Sequence, residues 1–111
     1  MSMPNYLIAQ VKVNDDSWIP DYAANVHDIV HRHGGKYLSR SGSITTLEGP
    51  ESTLGLIAVI EFPSADSLHA FVNDPDYAPY AKARQDGTDS HFLAIDDTDA
   101  AGSIPYLTAG G

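Results

Sequence analysis

Leu7-Ile8-Ala9-Gln10-Val11-Lys12-Val13 near the start of the chain returns as Leu56-Ile57-Ala58-Val59-Ile60-Glu61-Phe62 in its middle. Both runs are short and rich in aliphatic residues, many of them β-branched, the marks of a strand rather than a buried helix. Each is followed by a turn signal and then a helical pattern, so the chain repeats a strand–helix unit. Side chains alternate between the faces of a strand. Leu7, Ala9, Val11 and Val13 share one face, and Leu56, Ala58, Ile60 and Phe62 match them in the repeat. Both sets are wholly apolar, so this face is expected under helices. The other face carries Tyr6, Ile8, Gln10 and Lys12 with Ile57, Val59 and Glu61, half apolar and half polar.

The remaining elements follow outward. Tyr6 to Val13 is the first strand, and Asn14-Asp15-Asp16-Ser17 is a turn and cap cluster. A first helix is expected from Ser17 or Trp18 to His33, with Trp18, Tyr22, Val26, Ile29, Val30 and His33 on one stripe. Pro20 fits if it lies in the first turn, and Gly34-Gly35 stops the helix. Lys36 to Leu47 reads as a second strand interrupted at Ser41-Gly42-Ser43, and Glu48 to Gly55 as a turn. Ser64 caps a second helix whose buried stripe is Ala65, Leu68, Phe71 and Val72. Asp74-Pro75 opens a short helical piece reaching Gln85, and His91 to Asp96 is the fourth strand. The order βαββαβ predicts an α+β fold, a ferredoxin-like split βαβ sandwich. The domain spans 1–96. Residues 97–111 form an acidic tail without periodicity, anchored by Ile104, Tyr106 and Leu107.

The chain has 111 residues, 15 acidic and 6 basic side chains and a formal charge of −9. Such a field repels phosphate backbones and anionic lipid heads, so neither nucleic acid nor a membrane is expected as a partner. With no cysteine, disulfides and thiolate chemistry are excluded. The N-terminus lacks a signal pattern and no run reaches membrane-spanning length, which reads as a soluble, cytoplasmic protein.

A lone domain would leave Tyr6, Ile8, Ile57 and Val59 in water. Covering them with an identical sheet gives a homodimer in which two antiparallel sheets face each other as a dimeric α+β barrel. Pairing Leu47 with Leu54 in the hairpin between strands two and three puts Arg40 opposite Glu61. Arg40, Glu61, Gln10 and Lys12 then form one polar cluster on the face away from the helices. Glu61 as a base and Arg40 as an anion holder are the candidate catalytic pair, and Gln10 and Lys12 the candidate ligand contacts. The same cluster also reads as a charged pair that only fixes the register of an interface.

These residues carry a family likeness. Tyr6–Val13, His33-Gly34-Gly35-Lys36-Tyr37-Leu38-Ser39-Arg40, Val59-Ile60-Glu61-Phe62-Pro63-Ser64 and Asn73-Asp74-Pro75-Asp76-Tyr77 together resemble the domain of unknown function thirteen-thirty family, over residues 5 to 96. The resemblance implies a ferredoxin-like protomer of the dimeric α+β barrel superfamily and no settled activity. Relatives in that superfamily include cofactor-free monooxygenases, lactone isomerases and haem enzymes. The chain departs from the family pattern at Pro20, at Ser41 where a glycine pair is usual, and in its tail.

His27 and His31 stand i, i+4 but fall off the apolar stripe with no third ligand in sight, so no metal is expected. His33 reads as a helix-end histidine, and no cofactor is called for. Trp18 and Tyr22 read most simply as core, with the lining of a cavity between helix and sheet as the minority reading. Two functions stay open: a cofactor-independent enzyme, of proton-transfer or monooxygenase type, on a small organic molecule, and a non-catalytic ligand-binding or accessory protein.

Overall fold

The two repeated stretches become the central strands of one sheet. A computed structural model describes residues 3–102. In chain order these form β1 (Asn5–Val13), α1 (Ile19–Arg32), β2 (Lys36–Ser41), β3 (Leu56–Phe62), α2 (Ala65–Val72), α3 (Ala78–Gly87) and β4 (Thr88–Asp96), followed by a 3₁₀ turn at Ala100–Gly102. The sheet is antiparallel with order β2-β3-β1-β4. This is the expected split βαβ topology, with two helices in the second crossover. Ile104, Tyr106 and Leu107 lie outside the described residues.

The apolar strand face is buried along most of its length, though Val13 at the end of β1 is 40% exposed. Leu7, Ala9, Val11, Ala58, Ile60 and Phe62 are all buried, with Val26, Ile29 and Val30 of α1 and Leu68 and Phe71 of α2. Burial of each large side chain contributes about 1.5–3 kcal/mol. Ala65 and Val72, expected in the α2 stripe, are instead exposed, Val72 by 44%. At eight residues α2 is barely two turns long, and Leu68 and Phe71 complete its buried side.

Local chemistry sets the helix ends. Pro20 falls in the first turn of α1, where its missing N–H costs nothing. At the other end Gly34 takes φ 78°. Its N–H bonds the His31 carbonyl and the Gly35 N–H bonds the Val30 carbonyl, the paired closure of a Schellman motif. Gly35 is needed for space: a Cβ there would lie 2.5 Å from Val30 Cγ1 and 2.8 Å from Phe62 Cε1. Ser64 caps α2 as expected, its Oγ accepting from the Ser67 N–H at 3.1 Å.

The C-terminal end of α1 is clamped to the α2–α3 turn. His33 Nε2 lies 2.7 Å from Asp74 Oδ2, and Arg32 donates to Asp74 and Asp76 at 3.3 and 3.1 Å. Asp74 also accepts from the Asp76 backbone N–H at 2.8 Å. The His33 hydrogen bond first, then that backbone donor, hold the Asp74 carboxyl below the usual aspartate range.

The second strand corrects the expected register. β2 ends at Ser41 instead of running to Leu47, and Leu47 is 93% exposed. The chain irregularity falls at Leu38, between Tyr37↔Ile60 and Ser39↔Val59. The extra residue turns the rest of the strand over. Lys36, not Arg40, therefore stands opposite Glu61, and Arg40 pairs with Ala58 on the helix-covered face. The segment from Gly42 to Gly55 is a wide loop. Serine and threonine hydroxyls accept from its own backbone there, as at Ser43 N–H to Ser41 Oγ and Ser52 N–H to Thr46 Oγ1.

Two consequences are measurable. Gly35→Ala forces Val30 and Phe62 apart and is expected to cost about 1–3 kcal/mol of unfolding free energy in urea. Because folding lowers the Asp74 pKa from its ordinary 3.8, its stabilisation is complete above that value and is lost as pH falls through the lower folded value. The Tm gap between wild type and Asp74→Asn should therefore hold steady at mildly acidic pH and close on strong acidification. A gap unchanged at the acid end would show that Asp74 acts only through packing.

Candidate functional site

The aromatic residues string together from the core to the start of α1. Phe62 stacks on Phe71 at 5.5 Å between ring centroids, and Phe71 meets Tyr77 at 4.4 Å. Tyr77 meets Tyr22 at 6.3 Å, and Tyr22 meets Trp18 edge-on at 5.1 Å. Trp18 is held from below. The Gly87 carbonyl accepts from the N–H groups of Asn14 and Asp15, each at 2.9 Å, tying the β1–α1 turn to the end of α3. The indole then lies so close over Gly87 that a Cβ there would come within 2.5 Å of Trp18 Cδ1.

Propped in this way, the first half of α1 stands off the sheet and leaves a cavity of about 400 Å³. Ala9, Val11, Leu56 and Ala58 form its floor. Trp18, Tyr22, Ala23 and His27 form its helical wall, and Tyr37, Arg40, Arg84 and Phe92 close the sides. Exposed Ile19, Ala23 and Arg40 mark its mouth. The volume lies in the range of small-molecule sites, and the mix of apolar wall and few convergent polar groups is typical of them.

Each polar group is fixed. At the mouth, the Arg40 guanidinium sits 4.0 Å over the Tyr37 ring. Tyr37 stacks on His27 at 5.2 Å with rings 2° from parallel, and His27 meets His31 at 4.2 Å. Deeper in, the Tyr22 and Tyr77 hydroxyls are 3.1 Å apart. Burial pushes both the Tyr22 and Tyr37 phenols up from the usual tyrosine value, so at neutral pH they are neutral hydroxyls. Arg84 Nη1 donates to Ser90 Oγ at 2.6 Å, and the guanidinium lies 3.9 Å over Phe92. The Thr88 hydroxyl donates to the Arg84 carbonyl at 2.7 Å. Arg84 and Phe92 also border a more open groove of about 410 Å³ between α2, α3 and β4.

The residues singled out in the sequence divide between two faces. Gln10, Lys12 and Glu61 lie on the uncovered face, where Glu61 stands beside Tyr6 and Lys36, Gln10 beside His91, and Lys12 beside Asp89. Tyr6 donates to Asp97 at 2.9 Å. Arg40 is separated from them by the sheet and belongs to the cavity wall. The expected four-residue cluster is therefore not assembled. His27 and His31 are neighbours, but among the described residues no group of three metal-binding side chains occurs. Trp18 and Tyr22 line the cavity as well as packing beside the core.

Arg84 was not legible as a site residue. Lys82-Ala83-Arg84-Gln85 reads as a solvated helix surface. The available signal was spacing: Tyr77, Ala81 and Arg84 recur at i, i+4, i+7, which puts the arginine on the face of two apolar residues.

The chain matches the family described as Domain of unknown function (DUF1330) over residues 4–98. No curated protein matches it. Among solved structures it is similar to RPA0582, a protein of unknown function from Rhodopseudomonas palustris, at 19% identity and TM-score 0.76, covering 89% of this chain and 85% of that one. It is also similar to SnoaB, a cofactor-independent oxygenase from Streptomyces nogalater, at 12% identity and TM-score 0.62, covering 88% of this chain and 96% of that one. At these identities the likeness is one of fold. With its family match spanning nearly the whole described chain, the protein belongs to the DUF1330 family.

Proposed function

We propose that the protein is a homodimeric barrel protein that binds a small organic molecule in the cavity between α1 and the sheet and acts on it by proton transfer without a cofactor. The observation that carries this reading is the cavity itself, walled by aromatic rings with a few convergent polar groups. His27 is the histidine of the wall and the proposed proton-transfer group. The tyrosine hydroxyls serve as donors, and Arg40 contacts the ligand at the mouth. The fold shared with SnoaB, a cofactor-independent oxygenase, supports the reading to the extent that such a scaffold hosts chemistry without a bound cofactor.

The dimer rests on the uncovered sheet face. Leu93 and Ile95 are 53% and 56% exposed there, beside half-buried Tyr6, Ile8, Ile57 and Val59. Facing sheets would bury this patch and bring Gln10, Lys12 and Glu61 into the space between protomers. The position of Glu61 on that face, away from the cavity, favours a second reading: ligand binding without catalysis, with the polar residues fixing the dimer register.

A thermal-shift screen of small organic molecules is expected to give hits whose effect disappears in Ala23→Trp, which plugs the mouth without touching the core. A ligand at a hundredfold excess over its Kd raises unfolding free energy by about 2.7 kcal/mol. Hits that keep their full effect in Ala23→Trp would move the site elsewhere. For hits that turn over, His27→Gln should slow the reaction by about 10²–10⁴-fold; binding with no turnover of any hit would leave the second reading. Sedimentation at micromolar concentration is expected to show a dimer that Leu93→Glu converts to folded monomers. A wild type that sediments only as a stable monomer would remove the facing-sheet arrangement.

A further inference from the structure

The sequence holds six basic side chains: Lys12, Arg32, Lys36, Arg40, Lys82 and Arg84. Arg32 is paired with Asp74 and Asp76, and Lys82 with Asp86. Lys12 and Lys36 lie on the uncovered sheet face opposite Asp89 and Glu61. The two remaining, Arg40 and Arg84, both line the α1–sheet cavity, whose walls include no aspartate or glutamate. In a chain of formal charge −9, this is a pocket of uncompensated positive charge.

Arg84 is the unusual member. It is only 5% exposed, and among the described residues no carboxylate pairs with it. A buried guanidinium without a counter-charge is costly. Its Nε is buried with no hydrogen-bond acceptor, and so is Nε1 of Trp18 in the same wall. Ser90 occupies Nη1 and Phe92 holds the guanidinium plane. The Nε–Nη2 edge is left without an acceptor, the side by which arginine grips a carboxylate with two parallel hydrogen bonds; Nε itself is shielded from the cavity, so a ligand reaches this edge by a small shift of the side chain. The group is thus supported by Ser90 and Phe92 and short of an acceptor.

We infer that the ligand of this cavity is a small planar organic anion, an aromatic or conjugated carboxylate, whose charged end is taken by Arg84 and whose ring lies among the aromatic walls. This rests on the cavity reading above and adds the substrate class. Arg40 at the mouth draws the anion in against the repulsion of the acidic surface, and Arg84 receives it inside. The same charge that is expensive in the empty cavity becomes half of a charge-assisted pair when the anion arrives.

The experiment uses benzoate and its neutral isostere benzamide, titrated into ¹⁵N-labelled protein. Trp18 is the single tryptophan, so its indole N–H gives one unmistakable resonance, and the Arg84 Nε–H reports the proposed contact directly. Benzoate is expected to move both resonances saturably and to bind about tenfold or more tightly than benzamide, as a hydrogen bond to a charged group requires. In Arg84→Met that preference should vanish. Equal binding of acid and amide, with the indole responding to both, would overturn the anion assignment and leave the cavity reading intact. No saturable indole response to either would overturn the assignment and count against the cavity as well. If Arg84→Met fails to fold, the wild-type Nε–H decides: benzoate binding that leaves it unmoved overturns the role of Arg84.

Discussion

Helix α1 is tied down at its two ends by different means, and the space beneath its first turns exists because of that. Its C-terminal half is packed by Val26, Ile29 and Val30 and locked by the His33–Asp74 contact. Its N-terminal end is carried by Trp18, which rests on Gly87 at the end of α3. A smaller residue than tryptophan at the start, or a larger one than glycine beneath it, would let the helix settle or lift. Leu56, Ala9, Tyr22 and Arg84 surround a cavity because neither happens. The molecule forgoes packing there, and interiors ordinarily fill such gaps.

The two faces of the sheet divide the chemistry of the chain. One face meets the helices and holds the aromatic string, the cavity and the two arginines that pair with no carboxylate among the described residues. The other holds Lys12, Lys36, Glu61, Gln10 and a band of aliphatic side chains. This division follows from the period of two along each strand, so which face a residue serves is decided by register before any question of reactivity arises.

Much of the fold was legible because several local signals agreed. The paired apolar runs gave both central strands, Gly34-Gly35 gave the end of α1, and Ser64 gave the start of α2. The site was less legible. Arg40 was assigned to the wrong face because the strand irregularity was sought at Ser41-Gly42-Ser43, where glycine and serine advertise a bend. The chain instead bulges at Leu38, an ordinary strand residue in sequence. Arg84 is hard to read in sequence because helix α3 is weakly amphipathic and its basic residues look solvated; contact with Phe92 and Ser90 of the following strand holds it inside. Packing between elements made those two choices.

The bulge at Leu38 has an evolutionary side. β2 is an outer strand, bonded to a neighbour on one flank only, so gaining or losing one residue there disturbs few hydrogen bonds. Yet that single step exchanges the sides on which every later residue of the strand projects. An insertion or deletion at this margin would transfer the Arg40 charge from the cavity mouth to the other face of the sheet. One inserted or deleted residue at the margin of the sheet would thus reset the charge at the rim of the cavity and leave Arg84 and the core as they are.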